Sequence, residues 1–209
     1  AVMSEEDKLQ NDILLYYCEN IRPLLLELKL RRGDDHLLGI NNEIRALNDH
    51  IARCYSESEN ITSQQRMEQL SKAEGHVRRL ILDCFKQLNM DLFSKIESIE
   101  KKYYSNLWLY WGENGEFWEQ YTSFRSKAQE NVLQAKKKEA FDQDEALAKY
   151  EIAFQCYREM ENMLLQKKKE LCWSRIYRWG TYISKWGKFV LITFILSLIA
   201  SVISLFLIG

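Results

Sequence analysis

The sequence is poor in the two residues that interrupt regular helices, with one proline and eight glycines among 209 residues. Proline removes a backbone donor, and glycine destabilises a helix interior, so their scarcity favours long helices. The five cysteines include no CxxC pair, and their number is odd. These absences argue against a disulfide framework or a cysteine zinc site and predict reduced cysteines that act as small core residues.

The chain also lacks an excess of charge of either sign. It carries 29 lysines and arginines against 30 acidic residues, so its formal net charge is −1. A near-neutral chain gives no electrostatic argument for bulk nucleic-acid binding. The N-terminal residues AVMSEEDK are polar and acidic, and they predict no secretory signal peptide.

The C-terminal stretch 189–209, FVLITFILSLIASVISLFLIG, contains no charged residue and no proline. A helix of about 20 apolar residues spans the hydrocarbon core of a bilayer, which is roughly 30 Å thick. The sequence therefore predicts one C-terminal transmembrane helix in a single-pass protein.

The segment 166–188 has the composition of a membrane interface. Aromatic rings favour the headgroup level, where cations can face lipid phosphates. The predicted interfacial residues are Trp173, Arg175, Tyr177, Arg178, Trp179, Lys185, Trp186 and Lys188. By the positive-inside rule, residues 1–165 form a cytoplasmic domain.

Four hydroxyl residues follow one face of the predicted span: Thr193, Ser197, Ser201 and Ser204. Such hydroxyls can simply bond back to carbonyl oxygens of their own helix. Alternatively, the stripe faces another helix or a wetted lumen in a homo-oligomer. The spacing favours self-association but does not distinguish a tight bundle from a pore.

Residues 1–165 show helical periodicity throughout and predict an all-α, antiparallel helical bundle. The pattern predicts helices over about 5–32, 35–56 and 63–104, followed by a helical pattern from 116 towards the anchor. Pro23 should bend or interrupt the first helix, and Gly33 should end it. The third helix either runs through Asn89 or bends there. The charged stretch 136–145 is either a solvated face or a short break.

Two polar groups on the second and third predicted helices are candidates for chemistry. Arg45 and His50 form the first pair: an arginine can neutralise a phosphate, and a histidine can move a proton to or from a ribose hydroxyl. The second group is a polar ridge formed by Lys72, His76, Arg79 and Asp83. Spacing alone is weak support, because positions five apart on a helix differ by about 140° in direction.

The segments EIRALNDHIARC (43–54) and KAEGHVRRLILDCFK (72–86) together resemble HEPN-like helical domains of bacterial conflict systems. The resemblance covers about residues 35–90 and implies a four-helix up-and-down core that dimerises. Active members are metal-independent ribonucleases with an Arg-x4–6-His motif, which Arg45 and His50 match. Active motifs often have a polar Asn or His directly after the arginine, where this chain has Ala46.

A HEPN-like core joined to an anchor resembles membrane accessory effectors of RNA-targeting CRISPR and related antiphage systems. The resemblance implies an oligomeric effector that perturbs or permeabilises the inner membrane, with Arg45 and His50 at a subunit interface. Its expected partners are the lipid bilayer, further copies of the chain, and RNA or an RNA-guided sensor complex. The alternatives are a membrane-tethered metal-independent ribonuclease and a tail-anchored coiled-coil tether or adaptor. No cofactor and no metal are predicted.

Overall fold

A computed structural model describes residues 4–33, 37–55, 61–107, 116–167, 186–190 and 192–197. Every regular element in these ranges is a helix, which confirms the predicted all-α class. The stretch GENG at 112–115, where glycines favour a turn, lies outside the described residues. The helical bundle comprises the helices between Glu5 and Gln166.

The first predicted helix is helical from end to end, but it changes type in the middle. It comprises α1 (Glu5–Tyr16), a π-helical turn (Tyr17–Ile21) and α2 (Arg22–Arg32). The π turn ends two residues before Pro23, which has no N–H to donate, and the Arg22 N–H donates to the Tyr17 carbonyl oxygen. Gly33, at φ +71°, ends α2 and donates to the Lys29 carbonyl oxygen at 2.8 Å. The predicted interruption near Pro23 and the predicted end at Gly33 are both confirmed. The interruption takes the form of a π-helical turn, which widens the helix locally.

Four further helices follow: α3 (Leu38–Arg53), α4 (Ser63–Leu107), α5 (Glu116–Lys138) and α6 (Gln143–Gln166). The helix α4 continues through Asn89, whose side-chain nitrogen donates to the Phe85 and Tyr150 carbonyl oxygens at 2.8 and 2.9 Å. The stretch 136–145 contains a break, where the Asp142 side chain caps α6 by accepting from the Glu145 N–H at 2.9 Å.

The direction of α1 and α2 relative to α4 follows from their ion pairs. Asp7 pairs with Arg66 at 3.1 Å, and Arg32 places two hydrogen bonds of 2.7 and 2.8 Å on Asp91. Both pairs join positions that are 59 apart. A constant offset means that the α1–α2 rod and α4 run parallel.

The helix α4 is shared by the rest of the bundle. It packs against α1, α2, α3 and α6, and α5 packs on α6. Its buried positions recur every three or four residues, as expected for a helix with neighbours on its apolar face: Leu70, Ala73, Val77, Leu80, Cys84, Leu88, Leu92 and Ile96. The core of the protein therefore lies along α4.

Of the four cysteines that the structure describes, three occupy the core as predicted and one does not, and Cys172 lies outside the described residues. Cys54, Cys84 and Cys156 are free and buried, whereas Cys18 is exposed. Burial raises the pKa of Cys84 to about 12, so this thiol stays protonated at neutral pH.

The described parts of the C-terminal region, 186–190 and 192–197, are helical. Among the described residues, no helix combines the length and the apolar character that crossing a membrane requires. Most of the predicted span 189–209 and of the predicted interfacial segment 166–188 lies outside the described residues.

Candidate functional site

The packing of α3 against α4 brings two histidines together. His50 lies near the end of α3 and His76 lies 26 positions later on α4, yet their rings stack with centroids 5.1 Å apart and planes 26° from parallel. Both side chains are partly buried. This pair, together with its hydrogen-bond partners Glu43, Gln69 and Arg79, is called the histidine cluster below.

Glu43 orients the ring of His76. Its Oε2 atom lies 2.7 Å from the His76 Nδ1 atom and accepts from the Arg79 Nε–H at 3.1 Å. An Arg79 Nη2 atom also lies 2.9 Å from His76 Nδ1. Nδ1 cannot accept from Arg79 and donate to Glu43 at once, and two acceptors at 2.7 Å would repel. We therefore assign the Nδ1 proton to the bond with Glu43, which leaves His76 Nε2 for other partners.

The Glu43 carboxylate is held in its charged form. Partial burial by itself would raise its pKa, but the hydrogen bonds from His76 and Arg79 outweigh burial and lower the pKa below its usual value. A carboxylate that accepts from one imidazole nitrogen sets the tautomer and the direction of the other nitrogen. Glu43 is thus a positioning residue for His76.

His50 is oriented in the same way by a neutral group. Its Nδ1 atom lies 2.8 Å from the Gln69 side-chain oxygen, which can only accept, so Nδ1 donates. In both histidines the Nδ1 atom is therefore occupied, and Nε2 is the atom that can exchange a proton with a ligand.

Arg45 and His50 do not form a hydrogen bond or ion pair with each other within one chain. Arg45 is exposed and makes no hydrogen bond or ion pair with the residues that the structure describes. The cause is the helical step of about 140° between the two positions, which directs His50 towards α4 and Arg45 away from it. Within the chain, the ring that stacks on His50 is that of His76.

The predicted polar ridge of Lys72, His76, Arg79 and Asp83 is divided by the packing. His76 and Arg79 are neighbours, but Arg79 pairs with Glu43 across the α3–α4 interface. Asp83 instead accepts from Lys86 at 3.3 Å, and Lys72 pairs with Glu68 at 2.6 Å. Only the half of the ridge that contains His76 and Arg79 belongs to the histidine cluster.

Glu43 and Gln69 are the two members of the cluster that sequence reasoning missed. A usable signal was present: Glu43 lies seven residues before His50, and Gln69 lies seven residues before His76. A separation of seven is two helical turns, so each pair shares a face. In an antiparallel hairpin, Glu43 then lies opposite His76, and His50 lies opposite Gln69.

The predicted membrane residues are described only in part. Trp186, Lys188 and Ser197 are exposed, and the Thr193 hydroxyl donates to the Phe189 and Val190 carbonyl oxygens at 3.1 and 2.8 Å. Thr193 therefore bonds back to its own helix, which is the local alternative for a hydroxyl. The remaining predicted residues lie outside the described ranges: Trp173, Arg175, Tyr177, Arg178, Trp179, Lys185, Ser201 and Ser204.

In the part of the chain that the structure describes, no group of three or more His, Cys, Asp and Glu side chains could hold a metal ion. The chain matches no protein-family model, no curated protein and no solved structure. The chemistry of the site therefore has to be argued from its own groups, which are two oriented imidazoles, one carboxylate and one guanidinium.

Proposed function

We propose that this chain is a membrane-anchored, oligomeric effector of bacterial antiviral defence that perturbs or permeabilises the inner membrane. The observation that carries the proposal is the charge-free stretch 189–209. Within it, the large apolar side chains that the structure describes are 46–64% exposed. They are Phe189, Val190, Ile192, Phe194, Ile195 and Leu196. Contiguous exposed apolar surface of this kind marks a membrane or protein interaction site.

The helical bundle also supports this proposal. The helices between Glu5 and Gln166 bury a core along α4, and none of the tail residues that the structure describes belongs to it. A folded domain with an apolar helix appended to it is the arrangement that a bilayer can anchor. Assembly of several bundles would then gather several tails at one place in the membrane.

Substitution of Leu196 tests the anchor. We expect Leu196→Arg to move most of the protein from the membrane fraction to the soluble fraction, because a cation near the centre of a span strongly opposes insertion. The matched control is Leu165→Arg, which places the same charge on an exposed leucine of α6. The measurement is membrane fractionation of bacteria that express each full-length variant, followed by immunoblotting.

Permeabilisation is tested in the same cells by the influx of an impermeant DNA-binding dye. The proposal expects influx with the unaltered chain and with Leu165→Arg, and none with Leu196→Arg. Membranes that stay intact while the protein is anchored and its defence system is active would reject the effector. They would favour the tail-anchored tether.

A second candidate function is metal-independent RNA cleavage at the histidine cluster, and the stacking of His50 on His76 favours it. Such cleavage needs one imidazole to take the proton of the ribose 2′-hydroxyl and a protonated one to give a proton to the departing 5′-oxygen. The 2′-oxygen forms a bond to phosphorus as the bond to the 5′-oxygen breaks, which leaves a 2′,3′-cyclic phosphate. The two Nε2 atoms are the groups that could perform these transfers.

The histidine cluster predicts a different mutational pattern from the Arg45–His50 motif. We expect His50→Asn and His76→Asn each to slow cleavage of single-stranded RNA by about a hundredfold, the lower end of general acid–base effects. The Arg45→Ala variant should cleave RNA at nearly the normal rate, because Arg45 forms no hydrogen bond or ion pair with the described residues of the cluster. The assay uses purified full-length protein in the presence of a chelator, with circular dichroism to show that the variants fold. Absence of cutting by the unaltered protein would reject this candidate.

A further inference from the structure

A cavity of about 450 Å³ lies between α4, α5 and α6, on a different face of α4 from the histidine cluster. Its walls are formed chiefly by apolar and aromatic side chains, namely Met90, Phe93, Val132, Leu133, Tyr150 and Tyr157. Pockets for small organic ligands have volumes of roughly 300–1,000 Å³ and are mostly apolar with a few polar groups. The cavity therefore has the size and lining of a small-molecule site.

One buried polar atom in the lining of this cavity lacks a partner. Asn89 is 3% exposed and uses its nitrogen for two carbonyl oxygens, but its buried Oδ1 atom accepts no hydrogen bond. Buried polar atoms are normally paired, so this unpaired buried acceptor needs an explanation. A bound ligand that carries a donor would supply one.

The cavity is lined by three charged residues, Lys86, Lys136 and Glu139. Lys86 is neutralised by Glu139 at 2.5 Å and by Asp83 at 3.3 Å. Lys136 lines the same cavity, and it forms no ion pair with any residue that the structure describes. Lys136 is thus left to attract an anion at the entrance.

Two exposed apolar side chains complete the entrance. Met90 on α4 is 61% exposed and Leu133 on α5 is 55% exposed, and both line the cavity. Isolated exposed apolar residues are common on protein surfaces. Two of them in the lining of one apolar cavity give an apolar body a surface on which to enter.

We propose that this cavity binds a small amphipathic organic acid. Its aromatic or aliphatic body lies between Phe93, Val132 and Tyr157, an N–H or O–H group donates to Asn89, and its acidic group faces Lys136. The proposal is independent of the membrane and RNA functions above, because the cavity shares no residue with the histidine cluster or with the C-terminal stretch.

The test uses 8-anilinonaphthalene-1-sulfonate, which combines an aromatic body, one N–H donor and one sulfonate. The probe is titrated by fluorescence into the purified full-length protein, with the same detergent lacking protein as background. We expect saturable binding at one site per chain. Val132→Trp, which fills the cavity, should abolish that binding. Leu165→Trp, at an exposed position of α6, should leave it unchanged.

Adjacent lysines provide the matched charge control. Lys136→Glu should weaken binding by roughly fivefold, the scale of a rim charge that loses about 1 kcal/mol. Lys137→Glu places the same charge one residue further along α5, where the side chain is exposed and does not line the cavity, and it should bind like the unaltered protein. Equal weakening in both lysine variants, undiminished binding in Val132→Trp, or no saturable binding at all would each overturn the proposal.

Discussion

Replacement of Glu161 by alanine is expected to lower the free energy of unfolding by about 3 kcal/mol. Glu161 is 8% exposed on α6 and joins three helices, because it accepts from Arg31 of α2 and from Lys95 of α4. The distances are 3.0 Å to an Arg31 nitrogen and 2.6 Å to Lys95 Nζ. Removing one partner of a buried ion pair costs roughly 3–5 kcal/mol, since the other charge stays buried without compensation.

The lower end of that range applies to Glu161 for two reasons. Arg31 keeps its pair with Glu27 at 2.8 Å, and the half-exposed Lys95 side chain can turn to water. The measurement is urea unfolding of the full-length chain, followed by circular dichroism. Glu159→Ala is the matched control, because Glu159 lies two residues away on an exposed position of α6, where a change of less than about 0.5 kcal/mol is expected.

The destabilisation caused by Glu161→Ala should depend on pH in a defined direction. Burial would raise the pKa of Glu161, but the hydrogen bonds from Arg31 and Lys95 outweigh it and lower the pKa. A carboxyl group whose pKa is lowered on folding contributes stability above its unfolded value of about 4.3 and loses that contribution as pH falls through the folded value. The free energies of unfolding of the unaltered chain and of Glu161→Ala should therefore converge below about pH 4. A difference that stays constant down to pH 2 would contradict the assigned ion pairs.

Replacement of Leu88 by alanine should have an effect of similar or greater size, about 3–4 kcal/mol. Leu88 is fully buried in α4, the helix that α1, α2, α3 and α6 all contact. Deleting three carbon atoms there loses their transfer free energy and leaves a cavity that the surrounding helices cannot readily close. The measurement is again urea unfolding. The control is Leu165→Ala, because Leu165 occupies an exposed position of α6.

Leu88→Ala also separates two architectures. In a compact bundle organised along α4, the variant should unfold in one cooperative transition at lower urea. In an elongated tether, where α4 would have few neighbours, the same change should cost less than 1 kcal/mol, as surface substitutions do. The second result would reject the fold described above and favour the coiled-coil adaptor.

The helices themselves were predictable to a useful degree. Apolar residues at a period of 3.6 and the positions of Pro23 and Gly33 predicted the extent of the first helical rod, and the structure agrees. The choice between a break and a solvated face at 136–145 was not predictable, because charged residues fit both. The structure has a break there, and the Asp142 side chain caps the start of α6.

The candidate site was predictable only in part. His50, His76 and Arg79 were singled out by residue type, but they were assigned to two separate groups. Glu43 and Gln69 were missed because a glutamate or a glutamine on a helix surface is usually solvated. Arg45 matched a motif by spacing, yet it is exposed, because spacing along one helix does not decide which face meets a neighbour.

The sequence by itself determined the all-α class, the approximate ends of most helices and the absence of charge from residues 189–209. These properties follow from local preferences, since proline, glycine and apolar periodicity act within a few turns of helix. Only the tertiary structure decided that His50 meets His76 and that Asn89 lies beside a cavity. Both results depend on how one helix is placed along and around another, and the packing of side chains across the whole bundle determines that placement.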